Sequence, residues 1–224
     1  MSYVSRSELR KAYEDCIRPK RQTTNAINFE IDDNEKLENL YQELNSMTYT
    51  IGKSIVFLLF DKNFIHYREV FAADFKDRIV HHLLINRLLP KVEEQLIDDN
   101  YACRKEKGTL YGALRCQKHL KTASRDGIVN ELYILKGDFH NCFNTFDKRK
   151  IYKLFEKFII ENFSDDKNMI FNLWLLKMII DHCPQHNGKY IRKQNKKYWS
   201  KIKPEKTLFN LDDYHGLAVG NLSS

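Results

Sequence analysis

Asp138 ends an apolar run, Leu132-Tyr-Ile-Leu-Lys-Gly-Asp138, and Asp147 opens the amphipathic stretch that follows it. A carboxylate fixed at the end of a buried strand can present its oxygens to a cleft. That suits a hard cation such as Mg²⁺, which takes oxygen donors in near-octahedral geometry. Two such carboxylates could hold two ions for phosphoryl transfer, one activating the attacking hydroxyl and the other steadying the leaving group. The same pair also reads as a strand terminus and a helix N-cap, a position that Asp favours for structural reasons alone.

Cations gather in three other places. Arg68, Lys76 and Arg78 lie within Tyr67–Arg78, and Arg104, Lys105 and Lys107 sit beside Gly108-Thr109, a turn where backbone can approach a phosphate. Arg meets phosphate oxygens through two parallel hydrogen bonds, so it suits triphosphates and nucleic-acid backbones. The segment 189–206 interleaves cations, including Lys196 and Lys197, with Tyr190, Tyr198 and Trp199. Cations can follow a phosphate backbone while aromatic faces stack on bases, and a solvated charged surface has the same composition. His182-Cys183-Pro-Gln-His186 has metal-ligand residue types but no second cluster to complete a tetrahedral zinc site. His81-His82 falls in an apolar helical pattern and reads as packed and hydrogen-bonded, and Cys142, with His140 two residues before it, is not read as a nucleophile.

Regular elements must carry these residues. Leu37, Leu40, Tyr41 and Leu44 recur at helical spacing in a mostly helical, polar first fifty residues, and Ser54–Phe60 with Tyr67–Ala73 reads as a hairpin turning at Asp61-Lys62-Asn63. Asp74 is placed to cap a long helix that carries Ile79, Val80, Leu83, Leu84, Leu88, Val92 and Leu96 near the helical period, with a kink or break at Pro90. A helix is predicted over 111–123, a turn at Arg125-Asp126-Gly127, and a strand over 131–139. Two helices follow. The first has Ile151, Leu154, Phe155, Phe158 and Ile159 on its core face, and the second, over 165–182, is apolar on nearly every side.

The chain has 224 residues, of which 42% are hydrophobic, enough for a real core, and 14 Phe and 12 Tyr supply much of it. Its net charge of +7 favours polyanionic partners. Five irregularly spaced cysteines and a polar N-terminal stretch point to a reducing cytoplasm, with no leader peptide. The most apolar run, 169–180, is too short to span a bilayer, so no membrane partner is expected.

Four stretches, in order, resemble the motifs of bacterial reverse transcriptases. Tyr67-Arg68 through Leu84 is similar to their first fingers motif, and Asn100-Tyr-Ala-Cys-Arg104-Lys105-Glu-Lys107-Gly108-Thr109 with Ala113-Leu114 to the next. Asp138-Phe139-His-Asn-Cys-Phe143, with Asp147 beyond it, resembles palm motif A, and Gly216-Leu-Ala-Val-Gly220-Asn-Leu-Ser-Ser224 the palm motif written GxPxGxxxS. The resemblance covers nearly the whole chain. It implies an α+β fold, the fingers and partial palm of a right-hand polymerase, mostly helical with a small antiparallel sheet. Residues 1–130 would form the N-terminal extension and fingers, and 131–224 an incomplete palm.

By the same resemblance, Asp138 is a catalytic, metal-binding aspartate and the carbonyl of Phe139 a further ligand, in an enzyme that uses two Mg²⁺ ions. Phe143 matches the aromatic residue that excludes a ribose 2′-hydroxyl. Arg68, Lys76, Arg78, Val219 and Gly220 would bind the nucleotide, and Arg104, Lys105, Lys107, Lys196 and Lys197 the template. The implied function is RNA-directed DNA polymerase, acting on an RNA template, a DNA or RNA primer and dNTPs. Ala218 stands where the usual motif has Pro, and Val219 where many members have Gln. The apolar Val219 resembles the enzymes of diversity-generating retroelements and some retron-like relatives. The (Tyr/Phe)-x-Asp-Asp motif of the family does not occur in this sequence, so the expectation is that this chain alone does not polymerise. A non-catalytic RNA-binding module and a remnant fragment are the competing readings.

Overall fold

The computed structural model describes residues 2–61, 66–129, 131–163, 165–190 and 196–218. The fold is α+β. In order, the elements are α1 (Arg6–Ile17), α2 (Thr24–Glu30), α3 (Asp33–Asn45), β1 (Ser54–Asp61), β2 (His66–Ala72), α4 (Phe75–Gln95), α5 (Thr109–Ala123), α6 (Cys142–Thr145), α7 (Lys148–Asn162), α8 (Asp166–Asp181), β3 (Gly188–Tyr190) and α9 (Lys196–Trp199). The chain divides into two compact units, one of Met1–Leu89 with His140–Ser224 and one of Pro90–Phe139.

The first unit is built on one apolar core. Leu37, Leu40 and Leu44 of α3 are buried as their helical spacing requires, against Leu9, Tyr13 and Cys16 of α1 and Ile79, Val80 and Leu83 of α4. Ser5 caps α1, its side chain accepting from the amide of Glu8, and the Asp74 carboxylate accepts from the amide of Lys76 at 3.0 Å where α4 begins. Asp147 and Asp165 cap α7 and α8 in the same way. On α8, Phe171, Leu175, Leu176 and Ile180 are buried, while Ile170 faces solvent. On α7, Ile159 is fully buried and the expected core residue Leu154 is instead exposed, because α7 packs with a narrower stripe than its apolar sequence offers.

Arg87 ties three elements of this unit together. Its guanidinium donates to both carboxylate oxygens of Glu8 (2.5 and 2.9 Å), to Asn172 Oδ1 (3.0 Å) and to the carbonyl of Tyr3 (2.7 Å), and it lies 4.9 Å from the Phe171 ring centroid. A planar fork with several fixed donors can satisfy all these acceptors at once, which a lysine could not.

The sheet has the order β2-β1-β3. β1 and β2 pair antiparallel from Ile55↔Ala72 to Asp61↔His66, as the hairpin reading required; Lys62 and Asn63 of the expected turn lie outside the described residues. The third strand was not foreseen and is parallel to β1, with Ser54 opposite Gly188. Gly188 permits that approach, since a Cβ there would meet Val56 Cγ2 at 2.6 Å and the carbonyl of Pro184 at 3.0 Å. α4 runs unbroken through Pro90.

The strand predicted over 131–139 is not formed. These residues have no regular structure and are exposed, Tyr133 at 90% and Leu135 at 99%. Consecutive apolar residues favour a strand only where neighbours cover both faces and pair both edges. Among the described residues, the three-stranded sheet does not include this segment. In the second unit, α5 is followed by the expected turn, with Arg125, Asp126 and Gly127 all at positive φ.

Candidate functional site

The first unit contains an open cleft lined by His66, Tyr67, Arg68 and Glu69 of β2, by Asn141, Cys142, Phe143 and Asn144 around α6, and by Lys206. Three segments far apart in sequence meet here, and each is fixed by identifiable bonds. β2 is held by its register on β1, with Arg68 opposite Leu59. α6 starts from Asn141 in the left-handed conformation (φ 48°, ψ 38°), one that Asn tolerates better than most residues, and its carbonyl accepts from the amides of Asn144 (2.9 Å) and Thr145 (3.1 Å).

The segment 214–217 runs beside 143–148. The amide of Lys148 donates to the carbonyl of Tyr214 (2.8 Å), that of Gly216 to Phe146 (2.9 Å) and that of Leu217 to Phe143 (2.8 Å). Gly216 has φ +84°, and a Cβ there would strike Leu208 and Leu211 side chains at 2.7 Å, so this position of the GxAxG pattern needs glycine. Arg149 stacks over Tyr214 (4.8 Å) and forks onto both oxygens of Asp147, which holds the Asp147 carboxyl down at about 2. Asp147 is thus a helix cap and an ion-pair partner.

Glu69 anchors the third segment. Its buried carboxylate accepts from Thr207 Oγ1 (2.6 Å) and from the amide of Leu208 (2.9 Å), which fixes the turn Pro204–Lys206 against β2. Burial raises the Glu69 pKa above the usual carboxylate range, and the two hydrogen bonds oppose that rise. The result is a cleft with cationic Arg68 and Lys206, amide groups from Asn141 and Asn144, and the half-exposed ring of Phe143. Such a lining can hold an anionic group beside a flat or apolar one. Sequence reasoning singled out Arg68 and Phe143. It had Lys206 only as the end of the basic segment 189–206 and did not single out Asn141 and Asn144, because ordinary polar residues carry no signal until the fold gathers them.

Other expected binding residues lie elsewhere in the two units. Lys76 pairs with Glu43 (3.0 Å) and lies 5.3 Å from the Tyr49 ring centroid, and Arg78 donates to the carbonyl of Ala73 (2.9 Å). Neither lines the cleft of Arg68 and Phe143. In the second unit, Arg104 is 12% exposed. It binds Glu93 (2.7 Å) and the carbonyls of Ile97 (3.0 Å) and Asn100 (2.7 Å). Lys107 donates to Asp98 through its carbonyl (2.7 Å) and carboxylate (2.8 Å) and lies over the Tyr111 ring. Both cations close the loop 97–107 on itself, whereas Lys105 is exposed. Val219 and Gly220 lie outside the described residues, and only the backbone of Lys196 and Lys197, in α9, is described.

Asp138 and Phe139 are exposed, and Asp138 Oδ1 accepts from the amide of Phe139 at 2.9 Å. The strand expected to aim Asp138 is absent, and among the described residues no three His, Cys, Asp or Glu side chains gather where they could hold a metal. The described residues therefore do not fit a two-Mg²⁺ centre. In the His182–His186 stretch, two of the metal-ligand residue types are engaged by protein groups, while the buried His182 Nε2 has no hydrogen-bond partner among the described residues. His186 pairs with Asp213 (2.6 Å) and Cys183 contacts Lys148 (3.2 Å).

A second surface feature adjoins the cleft at Tyr67. Phe60, Tyr67 and Tyr198 form a ladder with centroid separations of 5.1 and 5.0 Å, the Tyr67–Tyr198 pair stacked at 19°, and Lys201 lies 5.7 and 5.1 Å from the two tyrosine rings. Among the described residues, no helix is long and apolar enough to cross a membrane. No protein-family model and no curated protein matches the chain.

Proposed function

We propose that this chain forms the fingers and part of the palm of an RNA-directed DNA polymerase, and that the cleft between β2 and α6 receives the incoming nucleotide. The observation that carries the reading is the convergence of three motif-like segments: Arg68 and Phe143 line one cleft, and the amide of Leu217 binds the carbonyl of Phe143. In this reading Arg68 and Lys206 meet the phosphates, Phe143 packs against the sugar, and Asn141 and Asn144 supply adaptable hydrogen bonds. The chain binds nucleotide and nucleic acid but does not join nucleotides, because the Asp138 carboxylate is exposed and unsupported by a strand. The reading is tested by titrating dTTP into the chain. Arg68→Ala is expected to weaken binding about tenfold or more, the loss of one charge-assisted contact. Equal affinity of the two proteins removes Arg68 from the site.

A second reading, a non-catalytic RNA-binding module, is favoured by the Phe60–Tyr67–Tyr198 ladder with Lys201. Stacked aromatics beside a cation suit single-stranded nucleic acid of any sequence. Tight RNA binding with a steep salt dependence and no measurable dTTP binding selects this reading over the first.

A further inference from the structure

We infer that Lys148 and Cys183 are a site of oxidative cross-linking, in which peroxide converts the thiol to a sulfenic acid and the buried amine captures it as a nitrogen–sulfur bond. Lys148 is the first residue of α7 and is 4% exposed, yet its ammonium approaches no carboxylate within ion-pair distance among the described residues. Its Nζ instead donates to the carbonyl of His182 (3.0 Å) and to Cys183 Sγ (3.2 Å). Cys183 follows the C-cap of α8 and is partly exposed. Its sulfur also lies 3.4 Å from the carbonyl of Asp181 and 3.6 Å from that of Asp213. A small oxidant can thus reach the sulfur from solvent while the amine waits on its inner side.

The chemistry balances with hydrogen peroxide as the oxidant. The thiolate sulfur attacks one peroxide oxygen, the O–O bond breaks, and Cys–SH plus H₂O₂ gives Cys–SOH plus H₂O. Lys148 then gives one proton to water. Its nitrogen lone pair attacks the sulfenic sulfur, the S–O bond breaks, and the hydroxide leaves as water with the second amine proton. The sum is Cys–SOH plus Lys–NH₂ giving Cys–S–NH–Lys plus H₂O.

A sulfenic acid is often captured by a nearby backbone nitrogen. Here the following residue is Pro184, whose nitrogen has no hydrogen to lose, so that route is closed. The nitrogen already in contact with the sulfur is Lys148 Nζ, at the end of a flexible four-carbon stem that can close the remaining distance. The bond would join the start of α7 to the end of α8, next to the Lys148–Tyr214 hydrogen bond that holds the 214–217 segment.

The test is peptide mapping by mass spectrometry after treatment of the whole chain with dilute hydrogen peroxide. The expected product is a cross-linked peptide pair containing Lys148 and Cys183, about 2 Da lighter than the sum of the unmodified peptides, and split again by excess thiol. Cys183→Ser, at the partly exposed partner, removes the product. Lys148→Arg, which keeps the charge, leaves Cys183 as a sulfenic acid that dimedone traps. A Cys183 that goes to sulfinic acid, or to a disulfide, with Lys148 unlinked in the wild-type chain overturns the inference.

Discussion

The amide of Leu217 donates to the carbonyl of Phe143 at 2.8 Å, joining two segments more than seventy residues apart in the chain. Through that bond and its neighbours at Phe146 and Lys148, the glycine-containing 214–217 segment forms one wall with α6, and Phe143 stands on that wall facing the cleft of Arg68. The relationship gives separate sequence motifs one shared place, and it makes the backbone at Gly216 a part of the site.

Gly216→Ala is expected to disturb that wall. The added methyl meets Leu208 and Leu211 side chains at 2.7 Å, and φ +84° strains any residue with a Cβ. The combined cost is about 1–3 kcal/mol of stability. Denaturant unfolding measures it, and hydrogen exchange should show the extra opening at Lys148, Gly216 and Leu217. Unchanged protection at those amides would contradict the role given to Gly216.

Arg87→Met should destabilise the first unit by about 3 kcal/mol or more, because it strips Glu8, Asn172 and the Tyr3 carbonyl of one shared donor. Arg87→Lys should recover only part of that loss, since an ammonium cannot span all the acceptors. Urea unfolding of the two variants provides the comparison.

Asp77 makes stability fall with rising pH. It is fully buried, bonded to Tyr49 Oη (2.6 Å) and the amide of Gly52 (3.0 Å), and burial pushes its carboxyl up to about 6. A folded pKa raised above the unfolded value means that the native state holds the proton more tightly. The contribution is therefore complete below the unfolded pKa near 4 and is lost as pH rises through about 6, amounting to roughly 2–3 kcal/mol. Glu69, also raised by burial, acts in the same direction. Asp77→Asn should flatten the part of the stability profile between about pH 4 and 6 that Asp77 contributes, seen as the difference between the two proteins in urea unfolding. An identical slope in both would remove Asp77 as the cause.

Arg104→Ala should act on structure before it acts on RNA. Its guanidinium closes the 97–104 loop through Glu93 and two carbonyls. Loss of that clasp should raise hydrogen exchange across residues 97–107, whereas Lys105→Ala, at an exposed side chain, should leave exchange unchanged and lower RNA affinity modestly. The reverse pattern would restore Arg104 as a direct template contact.

What could be read from the sequence was the local structure. The hairpin, the α3 face and the Asp74 and Asp147 caps follow from periodicity and side-chain chemistry within a few residues. Pairings between distant residues were not legible. Nothing near Lys76 announces Glu43, and nothing near Arg104 announces Glu93, so both cations read as available when the fold engages them. The run Leu132–Leu135 misled for a related reason, since its composition favours a strand but only a paired neighbour can satisfy its backbone. β3 is the converse case, a short strand set by one glycine allowing close approach.

The most direct test of the nucleotide cleft is a comparison of dTTP with its ribose counterpart in binding to the wild-type chain and to Phe143→Ala. The wild type should prefer the deoxynucleotide, and removal of the ring should collapse that preference by about tenfold while leaving dTTP affinity within a few-fold. A preference that survives the substitution, or a wild type that binds neither nucleotide, would contradict the account.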